Sequence, residues 1–208
     1  MNTRYAVFVG ALTMSVLTCC SMGDGGTTAT RPSPERSITG FDPSPSHLEA
    51  SFFALDEVAR TKPAELRKAA LKHLGDTDPH VHYAAVYALA LAATPTEGGA
   101  QLAGMLGSAS LDDRLLSAAS LAGAGDKRGL PVLIEALDQS ADLSYRSPPQ
   151  RCFEFAGAWL IHLTGQDFGL SAARDAAAAA ATKPAWQRWW TDHESTLHFD
   201  RKKHRYVM

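Results

Sequence analysis

Three kinds of side chain in this sequence have the types that do chemistry. The first are the histidines His73, His80 and His82, whose imidazoles can ligate a metal. Metal pairs on a helix favour spacings of three or four, as in H-E-x-x-H. His80 and His82 are two apart at the start of a predicted helix, so they point to different sides, and His73 lies one inter-helix turn away. Surface or turn histidines are the expected reading. His193, His198 and His204 follow at spacings of five and six, with no cysteine or acidic ligand pattern around them. The second kind is the thiol. Cys152 and His162 share one predicted helix but are ten residues apart, about 15 Å along the axis, too far for a nucleophile–base pair. Cys152 is expected to pack as a small buried hydrophobe. The third kind is the carboxylate pair Asp112-Asp113, which opens a predicted helix, where Asp caps and favours the dipole. No G-x-S-x-G, phosphate loop or dinucleotide fingerprint occurs, and Gly123-Ala124-Gly125 reads as a helix stop. No catalytic, cofactor-binding or metal residue is expected.

The elements that position these residues read as helices. Ser46 can cap a helix carrying Leu48, Phe52, Phe53, Leu55 and Val58. Pro63 opens a second, with Leu66, Ala69, Ala70, Leu71 and Leu74 on one side and Gly75 as its stop. Asp78-Pro79 starts a third, which runs to about Ala93. Further helices are expected from about Glu97 to Leu106, Leu111 to Ala124, Pro131 onward, and about Gln150 to Thr164. Strand-like alternation of useful length is not found, so the fold class is all-α. The unit recurs: Asp76-Thr77-Asp78-Pro79 before Val81–Leu89 returns about 34 residues later as Leu111-Asp112-Asp113-Arg114 before Leu115–Ala122. Such a period predicts a solenoid whose hairpins bury their apolar faces by stacking. Ala84, Ala85, Ala88 and Ala118, Ala119, Ala122 allow helices to approach closely, while Leu89, Leu121, Leu133 and Leu137 fill wider gaps.

Leu66–Val81 resembles the inter-repeat junction of bacterial HEAT repeats, and Gly125–Leu137 is similar to their intra-repeat turn and second helix. Leu163–Gly169, followed by Trp186-Gln187-Arg188-Trp189-Trp190, looks like the ending of some bacterial HEAT-repeat proteins. The resemblance covers roughly residues 47–195 and implies a short α-α superhelix of about three to four hairpins. Two positions depart from the pattern: His82, and Leu116 in the next copy, stand where that family usually has an Arg that bridges helix and turn. An alanine run, Ala176–Ala181, is also inserted between Phe168 and Trp186. Trp186, Trp189 and Trp190 follow Pro184 at helical spacing and are expected to cap the open end of the stack. Arg201-Lys202-Lys203-His204-Arg205 reads as a short solvated basic tail.

The amino terminus adds an address. Arg4 precedes an uncharged apolar stretch of about 13 residues, Tyr5 to Leu17. It closes on Leu17-Thr18-Cys19-Cys20, which resembles the lipobox of bacterial lipoproteins and implies acylation at Cys20, with residues 1–19 as the signal peptide. Cleavage after Gly23 and an uncleaved anchor are the alternatives, although the stretch is short for a membrane span of roughly 20 residues. Residues 20–46, rich in Gly, Thr and Pro, have the composition of a flexible tether. Residues 47–170 are then the helical repeats, and residues 171–208 the insertion, the Trp-rich capping helix and the basic tail.

Composition narrows the function classes. Apolar residues make up 45% and charged ones 20%, and the formal net charge is −2, which gives no global field toward nucleic acid. The expected role is a lipid-anchored adaptor or scaffold in the bacterial cell envelope. It would hold an unidentified protein partner and touch the membrane through its amino-terminal lipid. HEAT-like solenoids line their inner surface with second helices, which implies contacts from residues 64–74, 97–106 and 130–139. The loop Tyr145–Arg151 is a further candidate for recognition. A lyase-type HEAT enzyme acting on a small molecule, or a self-associating envelope component, are the alternatives. The enzyme reading lacks a convergent set of reactive groups.

Overall fold

Helix punctuation in the sequence becomes helix termini in the structure, a computed structural model that describes residues 55, 57–94, 98–144 and 150–208. These residues are mostly helical and fall into two compact units, one ending at Ala92 and the other running Ala93–Met208. The division lies inside the 47–170 stretch expected to form one array. The 171–208 segment lies within the second unit.

In the first unit, α1 (Pro63–His73) and α2 (Pro79–Ala92) form an antiparallel hairpin. Pro63 begins α1, where its missing N–H costs nothing, and Leu66, Ala70 and His73 place its buried stripe at helical spacing. Asp78 receives the His80 amide at 2.9 Å, so its carboxylate caps the start of α2. Along α2, Ala84, Ala85, Ala88 and Leu89 are fully buried, which is where small side chains let the backbones close up. The Arg67 guanidinium reaches the Ala92 carbonyl at 2.9 Å and ties α1 to the far end of α2.

In the second unit, α3 (Gly99–Met105) leads to α4 (Leu111–Gly123), α5 (Gly129–Glu135) and a 3₁₀ turn (Ala136–Asp138). Ser110 caps α4 by accepting the Asp113 amide at 3.3 Å. Leu115 to Ala122 are buried without interruption, so α4 is covered on every side over two turns. The chain turns at Gly125, whose φ of 95° a side chain would resist. Gly129 then brings α5 against α4 so closely that an added Cβ would lie 2.1 Å from the Ala118 carbonyl oxygen. After the segment before residue 145, α6 (Cys152–Thr164) begins. Its entry is stitched by Leu143 N–H to Gln150 O at 2.8 Å and Cys152 N–H to Ala141 O at 2.9 Å. Gly165 ends α6 in the left-handed region at φ 69°.

Two sequence expectations change here. The alanine run is no insertion beside a Trp helix: Asp175 caps one continuous helix α7 (Ala176–His193) that carries Pro184 internally. Its alanines offer high helix propensity, and packing over α5 and the 3₁₀ turn supports the turn weakened by Pro184. Trp186 and Trp189 are buried, whereas Trp190 is only half-buried, so the three indoles do not form one equivalent stripe. The second change concerns the basic tail. It folds as a β-hairpin of β1 (His198–Asp200) and β2 (Arg205–Val207), paired antiparallel with Phe199 opposite Tyr206. Tyr206 is buried and donates its hydroxyl to the Ala122 carbonyl at 3.0 Å. Phe199 covers Gly125, and the two rings meet edge to face at 5.1 Å. Strands of three residues are too short for alternation to signal them.

Candidate functional site

The residues with reactive types divide into turn-holders and buried filler. His82 Nδ1 lies 2.7 Å from the Leu74 carbonyl. A carbonyl only accepts, so this nitrogen carries the proton and pins the end of α1 to α2. His82 thus ties the turn between the two helices to α2. His73 Nδ1 sits 3.4 Å from Asp76 in that turn. In the second unit the corresponding grip comes from Arg114, whose guanidinium reaches the Ser108 and Ala109 carbonyls at 2.5 and 3.2 Å. His193 Nδ1 bonds the Trp189 carbonyl at 2.7 Å, and its ring stacks on Trp189. His198 is exposed on β1, and His204 occupies the hairpin turn with φ 50°. Among the described residues, no three His, Cys, Asp or Glu side chains come together as a metal site.

Cys152 is fully buried at the start of α6, and burial, followed by the charges of Asp112 and Asp142, pushes its thiol up to about 11. It carries almost no thiolate at neutral pH. His162 sits at the other end of α6, exposed, its pKa lowered by desolvation and then by His204. The structure keeps the two apart. Asp112 and Asp113 also have separate tasks. Asp112 receives the Ser144 amide and hydroxyl, and Asp113 accepts from Ser108 Oγ at 3.1 Å. Ser110, rather than either aspartate, supplies the helix cap.

Among the described residues, an open groove in the second unit, a cavity of about 380 Å³, has room for another molecule. Leu106, Leu111, Leu115, Pro131, Val132 and Ala136 make the apolar part of its lining, from the end of α3, the first half of α4, α5 and the 3₁₀ turn. Arg114, Glu135, Asp138, Gln139 and Lys183 make the polar part. The charges are fixed in place. Lys183 of α7 donates to Asp138 Oδ2 at 2.7 Å and to the Glu135 carbonyl at 3.0 Å, and pairs with Glu135 Oε2 at 3.0 Å. Gln187 donates to the other Glu135 oxygen at 2.8 Å. Burial alone would lower the Lys183 ammonium, but its hydrogen bonds to Asp138 and Glu135 outweigh this and raise it. The same Lys183 bonds hold Asp138 and Glu135 below the ordinary carboxylate values.

Set against protein-family models, curated proteins and solved structures, the chain matches none.

Of the helices expected to face a partner, 97–106 and 130–139 contribute Leu106 and residues within 131–139 to the lining, 64–74 contributes nothing, and α4 adds Leu111, Arg114 and Leu115. The contribution of α7 was missed. Lys183 lies 45 residues from Asp138 in an alanine-rich stretch that gives no sign of pairing. Cys20, the lipid-attachment candidate, and the loop residues Tyr145–Pro149 lie outside the described residues. Among the described residues, no helix is long and apolar enough to cross a membrane.

Proposed function

We propose that the protein is a lipid-anchored adaptor of HEAT-like helical hairpins that holds a protein partner at the bacterial cell envelope. The observation that carries this reading is the groove beside α5. It combines a continuous apolar lining with charges locked by mutual hydrogen bonds, which gives burial for affinity and fixed polarity for register. His73, His82, Cys152, Asp112 and Asp113 are each engaged in turns, loops or core packing outside the groove. The HEAT-like resemblance supports the same use of second helices as a contact surface, and the lipobox-like Leu17–Cys20 supports the anchor.

The test is partner retention. Full-length protein and a Val132→Arg variant are isolated from their native envelope after mild crosslinking, and the proteins held by each are compared. Val132 is only half-buried, so the variant should keep its melting temperature while a charge fills the apolar lining. A discrete protein retained by the wild type and lost from the variant supports the adaptor. Identical sets from both sink it.

A further inference from the structure

We propose that the turn of the carboxyl-terminal β-hairpin is a docking surface for an anionic lipid membrane. This goes beyond the adaptor reading and stands whether or not Cys20 is acylated. Arg201, Lys202, Lys203 and Arg205 are all exposed on or beside the four-residue turn between β1 and β2. The turn is rigidly built. Asp200 Oδ1 receives the amides of Lys202 and Lys203 at 2.8 and 3.1 Å, and its other oxygen lies 3.7 Å from the Lys203 ammonium. Among the described residues, Arg201, Lys202 and Arg205 have no carboxylate partner. Four cations are therefore gathered around one carboxylate that is already occupied with the turn.

The base of the hairpin cannot follow the tip outward. Tyr206 is bonded to the Ala122 carbonyl, Phe199 is pressed on Gly125, and Lys127 donates to the Glu194 carbonyl just before β1. The cations are thus held in place by the core instead of being carried on a loose tail. Their occupant is read from three features. The tip is a convex turn and not a groove, which suits a flat, diffuse layer of negative headgroups. Tyr206 is buried and Phe199 is half-buried against Gly125, so the hairpin itself presents no free ring on which nucleic-acid bases could stack. Arg205 also lies against Gly165, in the loop that exposes the Phe168 ring, and an exposed aromatic beside basic residues is the pairing that interfacial binding uses.

The experiment uses full-length protein carrying Cys20→Ser, so that no lipid is attached. It is mixed with vesicles of phosphatidylglycerol and phosphatidylcholine, or of phosphatidylcholine alone, and pelleted. Binding above the neutral-vesicle level is expected only with phosphatidylglycerol, and it should fade when salt is raised from about 0.1 to 0.5 M. Replacing Arg201, Lys202 and Lys203 together by Ala should lower that increment about a hundredfold, or about fivefold per cation. The melting temperature should hold, because these side chains are exposed. Lys68→Ala with Lys72→Ala, on α1, should leave binding unchanged. Equal binding to both vesicles, an undiminished increment in the triple variant, or tighter binding to single-stranded DNA or polyglutamate at matched charge would each overturn the assignment.

Discussion

Gly129 shows how one missing carbon sets the spacing of two helices. A methyl group there would fall 2.1 Å from the Ala118 carbonyl oxygen, a backbone atom that cannot rotate away. Gly129→Ala should therefore push α5 off α4 and cost about 1–3 kcal/mol. Gly104 is the opposite case: it lies inside α3 with nothing within 4 Å of an added Cβ. Gly104→Ala should stabilise by about 0.5–1 kcal/mol through lost unfolded-state entropy. Thermal melts of both variants check the pair, and equal shifts would show that the close approach is not what fixes Gly129. Cys152 yields a second residue-scale prediction. Its thiol is buried and pushed up to about 11, so peptide mapping after brief alkylation at pH 7.5 should find it unmodified in folded protein and fully modified in denaturant. Modification in the folded state would mean that the start of α6 opens.

At the scale of elements, α7 is held over α5 and the 3₁₀ turn by one ammonium shared between two carboxylates. Asp138 and Glu135 have folded pKa values below their ordinary 3.8 and 4.5. Their contribution is thus present above about pH 4.5 and is lost as pH falls through the lowered folded values. Lys183, raised above 10.5, contributes below that pH and loses its share as pH rises through its folded value. The carboxylates are largely exposed, so screening limits the cluster to about 0.5 kcal/mol. Lys183→Met should flatten both limbs of a stability-against-pH curve, and identical curves would remove the cluster from the account of α7 docking. Helix ends were legible where proline or an Asp cap marks them, as at Pro63 and Asp78, whereas the cap at Ser110 was read onto Asp112-Asp113. The contact itself was not legible. Lys183 and Glu135 are 48 residues apart, and spacing within one helix says nothing about partners on another. The β-hairpin escaped for a related reason, since its stability comes from Tyr206 reaching Ala122, 84 residues away, and not from its own letters.

At the scale of the whole molecule, the proposed anchor and the proposed basic tip would act at opposite ends of the chain on one surface. A single acyl chain binds a membrane only marginally, and a second signal such as a basic patch makes attachment stable. The prediction has two layers. Cells fed a labelled fatty acid should yield labelled protein, and Cys20→Ala should abolish the label; unchanged labelling would refute acylation at this cysteine. With Cys20 intact, the Arg201, Lys202 and Lys203 to Ala variant should keep the label but leave washed membranes more readily in high-salt buffer than in the wild type. Equal retention of the two would mean that the lipid alone holds the protein, and that the hairpin faces away from the bilayer.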